Sequence, residues 1–230
     1  DLELEPRPAG SSPGVLLVRA HGISPQRRAY LKSLSAQTGM VFKDATCPDV
    51  GIIAGKVRLH AQKGYAILIF GDAQHPEAIG LLGYAQGKGY VVHEPEELDQ
   101  LPDLGDKVCF VSQSTMFLHE FEALAEQVRA RYPQAVILDT ICQPTKDRQN
   151  DLLQLVQQGA EAIVVIGGSH SKNTRNLARL AQAQGLPCFY VQTAGQIQPE
   201  LMRRYATVGV TAGASTPAFI IDAVCKQLEA

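Results

Sequence analysis

Short apolar runs alternate with longer amphipathic stretches along most of the chain. Apolar runs of four to six residues predict strands over Val15–Val18, Tyr65–Phe70, Lys107–Val111, Ala135–Leu138, Ala162–Ile166, Cys188–Val191 and Ala206–Val210. The periodicity of an amphipathic helix is clearest over Phe117–Arg131, Asp151–Gln158, Thr174–Gln184 and Pro217–Leu228. Strands that alternate with helices are typical of an α/β protein with mainly parallel sheets.

The chain contains a repeat, which becomes visible when the predicted strand ends are aligned. His21 follows a strand, and Cys47 comes 26 residues later within the sequence D-A-T-C. Ser114 also follows a strand, and Cys142 comes 28 residues later within D-T-I-C. The two cysteines therefore occupy equivalent places in two matching units, each with an aspartate three residues before it.

Each cysteine is followed by a predicted helix and another polar strand end, where His75 and Ser171 stand 96 residues apart. A third unit begins at A-T-V-G-V-T-A-G-A-S, with Ser215 at its strand end. Carboxyl ends of parallel strands meet at one edge of a sheet, so we expect three pseudo-equivalent α/β units around a central site, the third incomplete. The predicted boundaries are a lead-in over 1–14, a unit with Cys47 over 15–105, a unit with Cys142 over 106–204, and part of the third unit over 205–230.

Composition narrows the possible functions. Hydrophobic residues make up 45% and charged residues 19% of the 230 residues, and the net charge is −2, which is ordinary for a globular protein without a broad nucleic-acid surface. No apolar run reaches the roughly 18 residues that a membrane helix needs, and no signal-peptide pattern is present. Five cysteines scattered over the chain do not form a disulfide framework. We therefore expect a cytoplasmic protein that works on neither membranes nor nucleic acids.

Cys47 and Cys142 are the strongest candidates for chemistry. A thiolate before a helix N-terminus is stabilised by the free N–H groups, which lowers its pKa. The alternative is that these are two unrelated buried cysteines. Iron–sulfur clusters usually take three or four thiolates, so the repeat predicts a third.

Histidines at strand ends form a second candidate group. His21 lies in A-H-G, and His75 lies in Q-H-P-E with Glu77 two residues later. Imidazoles can bind an anion and a carboxyl group can donate a proton, so these residues predict an anion site with its own acid. A structural or surface role is the alternative for either histidine taken alone.

Two polar loops lead from strands into helices. The loop G-G-S-H-S-K-N contains Ser171, Lys172 and Asn173, and the loop T-A-G-A-S-T-P contains Ser215. Glycines allow the backbone to approach a ligand, and the helix N-terminus offers N–H groups to a phosphate. Ordinary capping of the helix by Ser171 or Asn173 is the alternative.

Taken together, the motifs resemble the LytB/IspH family, the 4-hydroxy-3-methylbut-2-enyl diphosphate reductases. They occur in the family's order over almost the whole chain: A-H-G-I-S-P, D-A-T-C-P, H-P-E-A-I-G, Q-S-T, D-T-I-C-Q-P-T-K-D-R-Q, S-K-N and G-V-T-A-G-A-S-T-P. The resemblance implies a trefoil of α/β domains around a [4Fe–4S] cluster held by three cysteines, and a ferredoxin or flavodoxin as electron donor. It also implies reductive removal of the allylic hydroxyl, which gives isopentenyl and dimethylallyl diphosphate for isoprenoid biosynthesis.

The resemblance also implies a role for individual residues. Cys47 and Cys142 match the second and third cluster ligands, and Glu77 matches the acid of the proton relay. The positions that match the substrate and diphosphate pocket are His21, His75, Ser114, Thr115, Thr145, Ser171, Lys172, Asn173 and Ser215.

Some positions depart from the family's pattern. The segment with the first cysteine is absent, Lys172 replaces a usual serine, and Pro144, Lys146 and Asp147 are unusual in their loop. We therefore expect the third cluster ligand to come from a missing N-terminal segment, or else the chain is a divergent relative with an altered cluster. A clusterless α/β module that binds a phosphorylated metabolite is the competing function, and a zinc hydrolase lacks a ligand set with suitable spacing.

Overall fold

The computed structural model describes residues 13–229, and the chain divides into two compact units. The first unit comprises residues 13–111 and 128–138, and the second comprises 112–127 and 139–229. Most of the predicted lead-in therefore lies outside the described residues, and the predicted unit boundaries stay a prediction.

The first unit contains two sheets with helices between their strands. Its elements are β1 (Val15–Val18), α1 (Pro25–Thr38), β2 (Val41–Asp44), α2 (Pro48–Gln62), β3 (Ala66–Phe70), α3 (Pro76–Leu82), β4 (Gly89–Val92), a 3-10 helix (Pro95–Gln100), β5 (Val108–Ser112) and β6 (Val136–Ile137). Strands β1 and β2 pair in parallel, and the other sheet has the order β4-β3-β5-β6. The pairs β3–β4 and β5–β6 are parallel as well.

Strands β3 and β5 form the interior of the first unit. Every residue of both strands is buried, as expected for parallel strands covered on both faces. Ile53 and Val57 of α2 pack against Ile67 and Ile69 of β3 in one apolar cluster. This packing fixes the helix that follows Cys47 against the strand that precedes His75.

The second unit contains one parallel sheet of three strands. Its elements are β7 (Ala162–Ile166), β8 (Cys188–Val191) and β9 (Val208–Ala212), with α5 (Gln143–Gln157), α6 (Lys172–Ala183), α7 (Pro199–Met202), α8 (Ala218–Leu228) and a 3-10 helix (Ala194–Gln196). The strand order is β8-β7-β9. A further helix, α4 (Leu118–Arg131), starts in this unit and ends in the first. The buried central strand β7 ends directly before the loop with Ser171.

The α/β class with mainly parallel sheets is confirmed. The sequence does not predict the strands β2 and β4 or the helices α1, α3 and α7. Strand β2 (V-F-K-D) is short and half polar, and β4 (G-Y-V-V) begins with a glycine. Helix α1 buries no residue fully, so its sequence lacks the apolar stripe that makes a helix visible. Helix α5 begins at Gln143 rather than Asp151, because its first turns bury Thr145 and Gln149 instead of apolar side chains. None of the helices within residues 13–229 combines the length and the hydrophobicity needed to cross a bilayer.

Candidate active site

Both predicted ligand cysteines stand at the N-termini of helices. Cys47 occupies the N-cap position of α2 and Cys142 that of α5, and each is followed closely by a proline in the first turn. Neither residue forms a disulfide, and both are half-buried. The backbone N–H of Cys47 donates to the carbonyl of Ala20 (2.9 Å). The N–H of Cys142 donates in the same way to Ser114 (3.0 Å), so each cysteine loop is bonded to the end of a preceding strand.

The aspartate of each Asp-x-x-Cys sequence shapes the cysteine loop. Asp44 Oδ1 accepts from the backbone N–H of Thr46 (3.1 Å), and Asp139 Oδ1 accepts from that of Ile141 (3.1 Å). Each is a turn closed by an aspartate side chain. The second carboxylate oxygen forms an ion pair in both loops, with Arg28 at Asp44 and with Lys146 at Asp139. The repeat in the sequence is therefore also a repeat of hydrogen bonds.

His21 and His75 lie together in the first unit. Their rings meet edge to face with centroids 5.1 Å apart. His75 caps α3, where its Nδ1 accepts from the backbone N–H of Glu77 (3.2 Å). A neutral His75 in this arrangement carries its proton on Nε2.

His21 has a buried nitrogen without a partner. Its Nδ1 forms no hydrogen bond within residues 13–229. Burial, and after it the charge of Arg19, holds the pKa of His21 below its ordinary value. Because buried polar atoms are nearly always hydrogen-bonded, the orphaned Nδ1 points to a ligand at this position.

Glu77 is buried at the start of α3, with only 1% of its surface exposed. A carboxyl group there lies near the positive end of the helix dipole. Glu77 is therefore close in the chain to His75, whose ring contacts His21, and its role as the acid of an anion site stays a prediction.

The second unit brings Cys142 together with two predicted hydroxyl residues. Cys142 Sγ lies 3.0 Å from the hydroxyl of Thr145, which is itself buried. Ser114 is also buried, and its carbonyl accepts the Cys142 N–H. Either group can donate in this contact, which fixes the Cys142 and Thr145 side chains against each other.

The loop that carries Thr115 is fixed by amide side chains. The Asn176 side chain on α6 donates to the Thr115 carbonyl (2.9 Å). Gln149 on α5 is buried and contacts the same loop twice, since it donates to the Met116 carbonyl (3.0 Å) and accepts from the Leu118 N–H (3.2 Å). The sequence predicts no role for Asn176 or Gln149, because the sequence pattern of a helix does not distinguish a buried polar residue from an exposed one.

The loop before α6 has the form of an anion site. Ser171 is the N-cap and its Oγ accepts from the Thr174 N–H (3.2 Å), so the capping alternative is correct for Ser171. Asn173 is 6% exposed, and its Nδ2 donates to no partner in the described part of the chain. A buried, unused amide donor at a helix N-terminus is suited to bind a phosphate oxygen.

The loop that carries Ser215 lies against the start of α6. Gly213 and Thr216 both donate to the carbonyl of Ile166 at the end of β7 (2.9 and 3.0 Å). A Cβ atom at Gly213 would lie 2.1 Å from Thr174 Oγ1. Only glycine therefore fits there, and Ser215, two residues later, is exposed.

The structure thus forms two groups from the predicted residues. His21, Cys47, His75 and Glu77 belong to the first unit, and Ser114, Thr115, Cys142, Thr145, Ser171, Lys172, Asn173 and Ser215 belong to the second. Among residues 13–229, no three His, Cys, Asp or Glu side chains are grouped closely enough to hold a metal ion by themselves.

These features define a class of protein. It is an α/β protein with parallel sheets, with a free cysteine at a helix N-terminus in each of its two units and with hydroxyl and amide donors at strand ends. The sequence model described as LytB protein matches residues 4–229. The chain belongs to the LytB family.

Curated relatives support the same assignment. A 4-hydroxy-3-methylbut-2-enyl diphosphate reductase of Opitutus terrae is 58% identical over 230 residues, which cover 100% of this chain and 78% of that protein. A reductase of the same name from Oleidesulfovibrio alaskensis is 41% identical over 217 residues, which cover 93% of this chain and 75% of its own length.

Two solved structures share the fold. The E-1-hydroxy-2-methyl-but-2-enyl-4-diphosphate reductase of Plasmodium falciparum superposes with a TM-score of 0.83 at 25% identity, over 94% of this chain and 66% of that one. A solved (E)-4-hydroxy-3-methyl-but-2-enyl diphosphate reductase, the terminal enzyme of the non-mevalonate pathway, gives a TM-score of 0.63 at 30% identity, over 97% of this chain and 79% of that one. The fold expected from the sequence is confirmed by these likenesses.

Proposed function

We propose that this chain catalyses the reduction of 4-hydroxy-3-methylbut-2-enyl diphosphate to isopentenyl and dimethylallyl diphosphate. The observation that carries the proposal is its 58% identity, over the whole chain, to a protein of that name. The half-buried His21 and His75, the buried Glu77 and the two equivalent cysteine loops supply residue types that the reaction needs. The reaction belongs to isoprenoid precursor biosynthesis.

The chemistry is a two-electron reductive dehydroxylation. The allylic C–O bond breaks, the oxygen leaves as water with one added proton, and two electrons with a second proton form the new C–H bond. An enzyme for this reaction must hold an anionic diphosphate, deliver a proton to a poor leaving group and accept electrons from a donor.

Cys47 and Cys142 are proposed as two of the ligands of a [4Fe–4S] cluster. The fit rests on the donor set, since both are free thiols at helix N-termini and Cys142 has the Thr145 hydroxyl at its sulfur. When bound, the cluster would supply electrons and a Lewis-acidic iron for the substrate oxygen. A third cysteine ligand, from a segment before residue 1, stays a prediction.

The diphosphate is assigned to the donors at the strand ends. His21 has an unpartnered Nδ1 and Asn173 an unpartnered Nδ2 within the described chain, and both atoms are buried. Ser171, Lys172 and Ser215 add two hydroxyls and a positive charge. His75 is held beside His21 by the hydrogen bond that its Nδ1 accepts from the Glu77 backbone.

Glu77 is proposed as the proton donor to the leaving hydroxyl. A carboxyl group at 1% exposure is shielded from bulk water, so the proton that it transfers goes to the substrate rather than to solvent. Ser114, Thr115 and Thr145 are assigned to the substrate alcohol, where Ser114 and Thr145 are buried hydroxyls. Hydroxyl groups of this kind can position a water or an alcohol without adding charge.

Electrons are proposed to come from a ferredoxin or flavodoxin in the cytoplasm. The chain contains no Gly-x-Gly-x-x-Gly sequence, which is the usual fingerprint for a nicotinamide or flavin dinucleotide. A separate protein donor is therefore the source that the sequence favours.

Anaerobic purification and assay test the proposal. We expect a brown protein with absorbance near 400 nm that turns over the substrate with a chemical reductant, and we expect Cys47→Ala to lose both iron and turnover. Cys109→Ala is the matched control, because Cys109 is buried in β5 and burial raises its pKa to about 12 despite the opposing charge of Lys56. A colourless, inactive protein that still binds the diphosphate would instead establish a clusterless binding module.

A further inference from the structure

Basic and acidic residues are segregated along the first unit. Residues 13–63 contain eight lysines and arginines but only two aspartates, whereas residues 64–106 contain one lysine and eight acidic residues. Within the described chain, Arg28 is the only one of the eight basic residues that forms an ion pair with a carboxylate. With eight basic and two acidic residues, residues 13–63 carry a net positive charge of 8 − 2 = 6.

Five of these basic side chains line two adjoining cavities. Arg28, Lys32 and Arg58 line a cavity of about 480 Å³ between α1, α2 and α3. Arg19 and Arg27 line a second cavity of about 530 Å³, which shares Gly22 and Ile23 with the first. We call these five residues the cationic surface.

The cationic surface adjoins the loop of Cys47. Thr46, which precedes the cysteine, lines the cavity of about 480 Å³ together with Gly51. The Gly51 N–H donates to the Cys47 carbonyl (2.9 Å), one helical turn from the sulfur-bearing residue. A Cβ atom at Gly51 would meet nothing within 4 Å, so the helix leaves its backbone open to approach from this side.

The size of the cationic surface favours a macromolecule over a small anion. Arg58 lies eleven residues beyond Cys47 on α2, which corresponds to about 16 Å along the helix axis. A five-carbon diphosphate cannot span that distance and also reach the two arginines of the second cavity. An acidic protein face matches both the extent and the sign of the charge.

We propose that the cationic surface is the docking site for a small acidic electron-transfer protein, which passes electrons toward Cys47. The inference rests on the proposed function, because it presumes a redox centre at that cysteine. The partner, a reduced iron–sulfur or flavin protein, gives up one electron at each encounter and is itself oxidised. Two encounters supply the two electrons of one turnover.

The test measures binding separately from activity. Oxidised flavodoxin, which is acidic and cannot react, is titrated calorimetrically into the anaerobically purified protein at low and at physiological ionic strength. We expect Lys32→Glu/Arg58→Glu to raise the Kd at least about tenfold, because like charges placed opposite each other in an interface are strongly unfavourable. The salt dependence of the Kd is expected to weaken in the same variant.

Two further variants make the result specific. Lys88→Glu/Lys226→Glu changes the net charge equally but lies outside the cationic surface, and it should leave the Kd unchanged. Lys32→Gln/Arg58→Gln removes the charge without adding repulsion, and it should give an intermediate Kd. The proposal is overturned if the first double variant binds flavodoxin as well as the unmodified protein, or if the control pair weakens binding equally.

Turnover with a photoreduced deazaflavin distinguishes failure of the docking site from failure of the enzyme. A small uncharged reductant needs no docking surface, so Lys32→Glu/Arg58→Glu should keep its turnover with that reductant and lose it with reduced flavodoxin. Loss with both reductants would show that the two residues act in the reaction itself and would overturn the docking role.

Discussion

The imidazole ring of His21 meets that of His75 edge to face, with the two ring centroids 5.1 Å apart. His75 Nδ1 accepts a hydrogen bond, while His21 Nδ1 is buried without a partner in the described chain. The two imidazoles therefore differ in what they can offer a ligand. The Nδ1 atom of His75 is already used by the backbone, whereas the Nδ1 atom of His21 remains to be satisfied by a ligand or a water molecule.

The lowered pKa of His21 predicts a dependence of stability on pH. Burial first, and then Arg19, disfavour the charged imidazole in the folded protein, whereas the unfolded chain takes up the proton near pH 6.5. The unfolded state thus binds more protons below about pH 6.5, so the free energy of unfolding should fall as the pH is lowered through that value and the folded-state pKa.

Urea denaturation of the cluster-free protein between pH 5 and 8 measures this effect. His21→Gln cannot take up a proton and should flatten the dependence. His119→Gln, at an exposed site on α4, is the control and should keep the full slope. An unchanged slope in His21→Gln would assign the pH dependence to other groups.

Glu77→Gln should abolish most of the turnover while it preserves binding of the substrate. The amide has the same shape but cannot donate an acidic proton, and loss of a general acid typically costs a factor of roughly 10² to 10⁴ in rate. Steady-state kinetics with a chemical reductant gives kcat, and calorimetry gives the Kd of the diphosphate. Glu96→Gln, on the exposed 3-10 helix, should behave as the unmodified protein. Near-normal kcat in Glu77→Gln would remove the residue from this role.

The aspartates before the cysteines should contribute to stability in two separable ways. Asp44→Asn keeps an oxygen that can accept from Thr46 N–H but loses the charge opposite Arg28, whereas Asp44→Ala loses both. We expect Asp44→Ala to lower the free energy of unfolding by about 0.5 to 1.5 kcal/mol for the lost hydrogen bond, and Asp44→Asn to lower it less.

Chemical denaturation and iron content together report on this loop. Asp106→Ala, at an exposed aspartate on the same unit, serves as the reference and should change neither quantity. If Asp44→Asn and Asp44→Ala were equally unstable, the ion pair with Arg28 rather than the turn would be the important contact.

Gly213→Ala should be destabilised by its contact with Thr174. The added Cβ would lie 2.1 Å from Thr174 Oγ1, and relief of such an overlap typically costs about 1 to 3 kcal/mol. Thr174→Ala removes the clashing hydroxyl, so the double variant should recover part of the loss as a coupling energy. Gly195→Ala has open space at its Cβ position and is the control. Strictly additive effects in the double variant would contradict the predicted contact.

The sequence predicts the fold class and the equivalent positions of the two cysteine loops, for identifiable reasons. Strands such as Ala162–Ile166 are apolar throughout, and the spacing of Cys47 and Cys142 places them in equivalent loops. Helix α1 was missed because it buries no residue fully, so periodicity has nothing to detect.

Other parts of the site depend on contacts between distant segments. The side-chain amide of Gln149 donates to the carbonyl of Met116, which is 33 residues earlier in the chain. Thr174 occupies the space in which a side chain at Gly213 would lie. Neither contact can be predicted from the neighbouring sequence, because each of the residues is of an ordinary type for its position.

The two cysteine loops also differ in the helix that carries the basic partner of their aspartate. Lys146 stands on the helix that follows Cys142, seven residues after Asp139, whereas Arg28 comes from α1, sixteen residues before Asp44. Helix α1 has no fully buried side chain to anchor it, so its detachment would need little free energy and would release the carboxylate beside Cys47. The loop that carries Cys47 should consequently loosen at a lower temperature than the loop that carries Cys142.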